Sequence, residues 1–282
     1  MNRQSGYSFY SGNGRWNGRL TNRPLPWNDA AIDRLSNSQR DELARIWLGR
    51  AASERRVADA FEVIRDALTE LGGLQELIAL AARAVDDEYR HAELSRRVAS
   101  RYAGQELDPP ARLNLTVPEH PGAPPRLRHT LHILGHCAMN ETFASAFLEV
   151  SLRYASARLA RAALRALFSD EIDHARLGWA HLAGLTASER DQLAPWLPAL
   201  VQANLKMWRD SPRSYSDERL LNAHGAPPGN IVEQALLNAI RQLIIPGLEH
   251  FGLPTAALHH WLAAGAPTGD SITNLTSIRN KN

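Results

Sequence analysis

Cysteine is nearly absent: Cys137 stands alone in 282 residues. No intramolecular disulfide can form, which suits a reducing, cytoplasmic compartment. Long apolar runs are missing as well. No stretch approaches the roughly 18 uninterrupted apolar residues of a membrane span. The N-terminus, "MNRQSGYSFYSGNGRWNGRL", lacks the apolar core of a signal peptide. Nor is there an excess of one charge: 32 basic and 30 acidic residues leave a formal charge of +2, which argues against nucleic acid or a membrane surface as partner. Apolar–polar alternation never runs long enough to build a sheet.

What the chain has is helical periodicity between two irregular ends, so the expected fold class is all-α. Residues 1–35 are rich in Gly, Asn, Arg and Ser and read as an arm whose Tyr7, Phe9, Tyr10 and Trp16 can pack on the body. Residues 271–282 read as a polar tail. A first long helix opens on a capping box, Ser38 to Asp41, carries Leu43, Ile46, Trp47, Val57, Phe61, Ile64 and Leu68 at helical spacing, and ends at Gly72-Gly73. A second spans about 74–102. Pro109, Pro110, Pro118, Pro121, Pro124 and Pro125 forbid a helix across 103–125 and make that stretch a long connection. A third helix is expected over about 126–153 and a fourth from there to Gly184, so 36–185 forms the main domain. Residues 186–270 add helices over 188–209 (kinked by Pro195 and Pro198), 230–251 (kinked at Pro246) and 255–264, packed on that domain.

One phrase is written twice. "DDEYRHAEL" (86–94) and "SDEIDHARL" (169–177) share D-E-x-x-H-A-x-L. Glu88 and His91, like Glu171 and His174, stand three positions apart and so share a helix face. Each phrase also follows a lone glutamate on the preceding helix: 32 residues separate Glu54 from Asp87, and 28 separate Glu141 from Asp170. The chain therefore reads as two equivalent helical hairpins, which together supply four carboxylates and two imidazoles. Buried bare, such a set would be prohibitively costly. Two divalent cations neutralise it, and mixed oxygen and nitrogen donors suit iron or manganese. One Glu from each of two helices and Glu-x-x-His from each of the other two is the pattern of dinuclear sites in helix-bundle cores. Asp87 and Asp170 stand four residues before His91 and His174, placed to accept the Nδ1–H of the histidine on their own helix and leave the other nitrogen for metal.

Other residues compete for attention. Glu62 and Glu149 lie two turns beyond Glu54 and Glu141 and are the alternatives for the lone-Glu positions. His132 and His136 precede Glu141 by 9 and 5 positions, poorly phased on a regular helix, and read as ordinary polar positions. Arg90 and Arg176 adjoin the motifs but should face away. Leu167, Cys137, Ser145 and Gly178 are small or apolar positions near the expected ligands that can line a cavity.

The doubled pattern of Glu, about thirty residues and D-E-x-x-H resembles the ferritin-like di-iron carboxylate superfamily over roughly residues 40–185. Its size, spacing and additional C-terminal helices are most similar to the arylamine N-oxygenase group. The resemblance implies a ferritin-like four-helix bundle with a long Pro-rich connection. It also implies two Fe ions (or Fe with Mn) held by Glu54, Glu88, His91, Glu141, Glu171 and His174, with Glu88 and Glu171 bridging. The implied activity is an oxygenase using O2 as co-substrate, N-oxygenating an amine or hydroxylating C–H in a small organic molecule. An external electron donor and a homodimer are the partners expected. That group carries one more histidine ligand, one turn before the last Glu, where this chain has Leu167. The alternatives are a di-iron oxidase or desaturase, and an iron-handling protein without enzymatic activity.

Overall fold

The computed structural model describes residues 25–210 and 218–267. Tyr7, Phe9, Tyr10 and Trp16 of the expected arm and the tail at 271–282 lie outside the described residues. Helix α1 (Ala30–Asp33) leads into α2 (Asn37–Glu70) and α3 (Gln75–Ala103). Helix α4 (Pro125–Ile133) runs through a π-helical segment, Leu134–Asn140, into α5 (Glu141–Tyr154), and α6 (Arg158–Gly184) follows. Next come α7 (Ala187–Leu193), a 3-10 turn at Ala194–Trp196, α8 (Leu197–Arg209) and α9 (Glu218–Ala223). The last elements are α10 (Gly229–Ala239), a second π-helical segment at Ile240–Ile244, α11 (Ile245–His250) and α12 (Ala256–Ala263). Among the described residues there is no strand, and no helix is long and apolar enough to cross a membrane.

Local chemistry sets these boundaries. The capping box of α2 is Ser36 with Gln39, two residues before the expected Ser38–Asp41 pair: Ser36 Oγ accepts from the Gln39 N–H, and the Gln39 side chain accepts from the Ser36 N–H. A longer amide side chain reaches back where Asp cannot. Gly72, at φ +69°, makes the left-handed turn between α2 and α3. Residues 104–124 are not helical but are tied down. Arg55 donates to the Pro110 carbonyl at 2.8 Å, Arg112 pairs with Asp59, and His132 Nε2 meets the Pro118 carbonyl at 2.7 Å.

Helix α2 packs along α3, α3 on α6, α6 on α5 and its π segment, and α4 back on α2. The four long segments thus close into a ring. Their interior is layered. One apolar cluster holds Trp47, Leu94, Tyr102 and Leu164, and another holds Phe61, Ile64, Ala84 and Leu177. Along α2, α3 and α6 the sequence passes from one cluster to the other through Glu54, through Glu88 and His91, and through Glu171 and His174. The repeated motif therefore forms a polar layer between two apolar ones. A third cluster joins α8 and α10–α12 to the α4–α5 segment.

Candidate metal centre

Within that layer Glu88, His91, Glu141, Glu171 and His174 are all almost completely buried. Ligand atoms of Glu88, Glu141, Glu171 and His174 lie within 4.8 Å of one another, a group that can hold a metal ion. His174 Nδ1 stands 2.9 Å from Glu88 Oε1 and 3.3 Å from Glu171 Oε2. His91 Nδ1 stands 3.5 Å from Glu88 Oε2 and 3.6 Å from Glu171 Oε1. Each of these two glutamates therefore gives one oxygen to each imidazole. Both Glu88 oxygens and His91 Nδ1 are buried without a hydrogen-bond partner. Two donors held at about 2.1 Å from one ion and at right angles are themselves about 3 Å apart, close to the spacing seen. Glu54 comes from α2 to the same place, half-buried on the wall of a cavity that Glu141 and Glu171 also line.

The two aspartates take a different part from the one their spacing suggests. His91 Nε2 lies 3.2 Å from Asp170 Oδ2, and His174 Nε2 lies 3.5 Å from Asp87 Oδ2. Each aspartate serves the histidine of the opposite helix, and the ring nitrogen turned to the carboxylate cluster is Nδ1. The i,i+4 reading fails because both motifs face the same interior, where a neighbouring helix offers a straighter approach than a residue one turn back. Arg90, expected to face away, pairs with Asp87 and also reaches Asp170 at 3.2 Å, so one guanidinium joins both aspartates.

His136 is the second residue that spacing misplaces. The π segment closes i to i+5: the Glu141 N–H donates to the His136 carbonyl. Five residues on a regular helix would leave the two side chains about 140° apart, whereas one π turn stacks them. His136 Nε2 stands 3.2 Å from Glu141 Oε1, buried and without a hydrogen-bond partner. Phe61 packs against both His136 and His174, with ring centroids 4.9 and 5.0 Å away. Asn140 Nδ2 donates to Glu141 Oε1 at 3.1 Å, and Trp208 Nε1 donates to Asn140 Oδ1 at 2.9 Å. No spacing rule announces Asn140 or Trp208. Their only sequence signal is that Asn140 adjoins a candidate ligand.

Burial and mutual charge shift the acids and bases of this cluster in opposite directions. Burial, then the charges of Glu88 and Glu171, push Glu54 up to about 8. Burial and Glu171 hold the Glu141 carboxyl well above the usual carboxylate range. Burial opposes charge on Glu88 too, but His91 and His174 outweigh it and bring Glu88 down to about 2. The surrounding carboxylates overcome burial at His91 and His174, whose imidazoles rise well above their ordinary value. His136 differs: burial depresses it to about 4, so it is a neutral imidazole at pH 7.

Glu62 and Glu149 stand apart from this cluster. Glu149 is exposed and pairs with Arg153 at 3.0 Å, and the charge of Glu62 bears on Tyr89 and Arg112. The cavity beside Glu54, Glu141 and Glu171 measures about 930 Å³ and is walled by α2, α8, the α4–α5 segment and residues 115–121 of the connection. None of Leu167, Cys137, Ser145 and Gly178 lies on that wall. Leu167 is packed in the Trp47 cluster and Cys137 in the Phe61 cluster. Gly178 meets the backbone of Ala138, because α6 approaches the π segment too closely for a side chain. Compared with known proteins, the chain matches no family model, no curated protein sequence and no solved structure.

Proposed function

We propose that this protein is an O2-activating dinuclear iron oxygenase built on a ferritin-like four-helix bundle. The observation that carries the reading is the arrangement of Glu88 and Glu171, each turning one oxygen to His91 and the other to His174. Two carboxylates so placed are suited to bridge a pair of ions. Glu54 and His91 would complete one ion's donors, and Glu141 and His174 the other's. The donor set fits the metal: it is buried, rich in carboxylate, and leaves polar atoms without partners that a divalent cation would satisfy. A reduced iron pair, with electrons renewed by an external donor, supplies the chemistry that activates O2.

The chain's own residues do the rest. Asp170 would hold the Nε2 proton of His91, and Asp87, 3.5 Å from His174 Nε2, stands where it would do the same for His174, which leaves each Nδ1 as the donor atom. Arg90 ties both aspartates in place. Apolar layers on either side of the polar one exclude water. The cavity reaches the cluster on the side of Glu54 and Glu141 and has room for a small organic substrate. That cavity favours oxygenation of an organic molecule over iron handling, while N-oxygenation, C–H hydroxylation and desaturation all fit its volume. The test is metal analysis of protein reconstituted with Fe2+ under argon. About two ions per chain are expected, and fewer than about half an ion per chain would defeat the reading.

A further inference from the structure

The geometry points to His136 as a seventh donor, a third imidazole bound to the ion on the Glu141–His174 side. This inference rests on the dinuclear reading above and concerns only how the two ions differ. Three features carry it. The π segment brings His136 and Glu141 onto one face, with Nε2 3.2 Å from Glu141 Oε1. That separation matches two donors at adjacent positions of one ion, about 3 Å apart. The nitrogen is buried and has no hydrogen-bond partner, although a carboxylate oxygen lies beside it. Asn140 already donates to that same oxygen, so His136 is not needed to satisfy Glu141.

The ring's surroundings hold it in place. Phe61 packs edge-on against it, and the same Phe61 ring rests on His174. Gly178 of α6 presses on Ala138, and a side chain at Gly135 would meet Leu200 of α8 at 2.9 Å, so helices on both sides fix the π segment. With His136 bound, one ion has two imidazoles and the other has one. The ions are then inequivalent, and the nitrogen-rich one holds an imidazole that lines the cavity.

Binding of Co2+ to the full-length apoprotein, followed by visible absorption and calorimetry, tests this. Wild type should bind two Co2+ per chain with two separable affinities. His136→Gly should weaken one of these at least tenfold and shift its visible bands, with the other unchanged. Because His136 lines the cavity, free imidazole added to His136→Gly should restore the lost affinity and bands, which a merely structural role would not allow. His136→Gln, which keeps more bulk against Phe61, is measured alongside by circular dichroism and should show the same spectral change with its helices intact. Wild-type affinities and bands in both variants would overturn the inference and leave the dinuclear reading standing. Loss of affinity that imidazole does not restore would also overturn it. If wild type itself binds no pair of ions, the dinuclear reading fails first.

Discussion

At the scale of single residues, the types of side chain at the centre are legible in one dimension, but their partners are not. Glu88, His91, Glu171 and His174 announce themselves because a motif three residues long and written twice fixes a helix face whatever the tertiary structure. Asp87 and Asp170 announce themselves too, yet which imidazole each one serves depends on how α3 and α6 face each other. The crossed pairing has a measurable consequence. Asp170→Asn should lower metal affinity about 10- to 100-fold by acting on His91. Its effect should therefore be non-additive with His91→Ala and additive with His174→Ala. Asp87→Asn should show the reverse, and a same-helix pattern of coupling would refute the crossed arrangement. A second prediction concerns His181, where burial brings the imidazole from its ordinary 6.5 down to about 4 and Thr130 Oγ1 lies 3.4 Å from Nε2. The unfolded chain takes up this proton near 6.5 and the folded one only near 4. Stability is therefore whole above about pH 6.5 and falls as pH drops towards 4, by up to about 3 kcal/mol. His181→Gln should remove that part of the fall in urea unfolding, and an unchanged difference between pH 7 and pH 4.5 would count against it.

At the scale of elements, prolines, glycines and apolar spacing located α2, α3, α6 and the long connection within a few residues, because they act locally on the backbone. The two π-helical segments were invisible to the same reasoning, which assumes 3.6 residues per turn throughout. On that assumption His136 falls off the face of Glu141, whereas the extra residue within the π turn rotates everything before it relative to Glu141. The π segment is held by close backbone contact, and Gly178 tests this. A Cβ there would sit 2.4 Å from the Ala138 nitrogen and 2.9 Å from its Cα and Cβ. Neither backbone can yield cheaply. Gly178→Ala should cost about 1–3 kcal/mol and lower metal affinity, because α6 carries Glu171 and His174 while the displaced segment carries His136 and leads into Glu141. Gly49→Ala in α2 is the control. Nothing lies within 4 Å of its Cβ, so helix propensity alone should leave stability equal or raised by about 0.5–1 kcal/mol. Equal stability and metal binding in both variants would show that the contact at Gly178 does not position the site.

At the scale of the whole molecule, apolar spacing marks helices beyond residue 185, but not that α8 walls the cavity and reaches the centre through Trp208, Asn140 and Glu141. Long-range placement of this kind has no local signal. It bears on the choice between an oxygenase and an iron store. A store must pass many ions inward and collect them in a hollow assembly. Here the donors are enclosed between apolar layers, and the space beside them is a single cavity of about 930 Å³ lined by Ile46, Val57, Leu200, Met207 and Trp208, a lining that suits an organic molecule better than hydrated ferric oxide. Aerobic titration with Fe2+ separates the two. Iron uptake should saturate at about two per chain, with O2 consumption ending at that point, and the protein should elute from gel filtration at the same small size before and after. Trp208→Phe, which removes the indole N–H that holds Asn140, should lower affinity for the Glu141-side ion without changing that stoichiometry. Uptake of many irons per chain into a growing ferric mineral, in wild type and variant alike, would place the protein among iron stores.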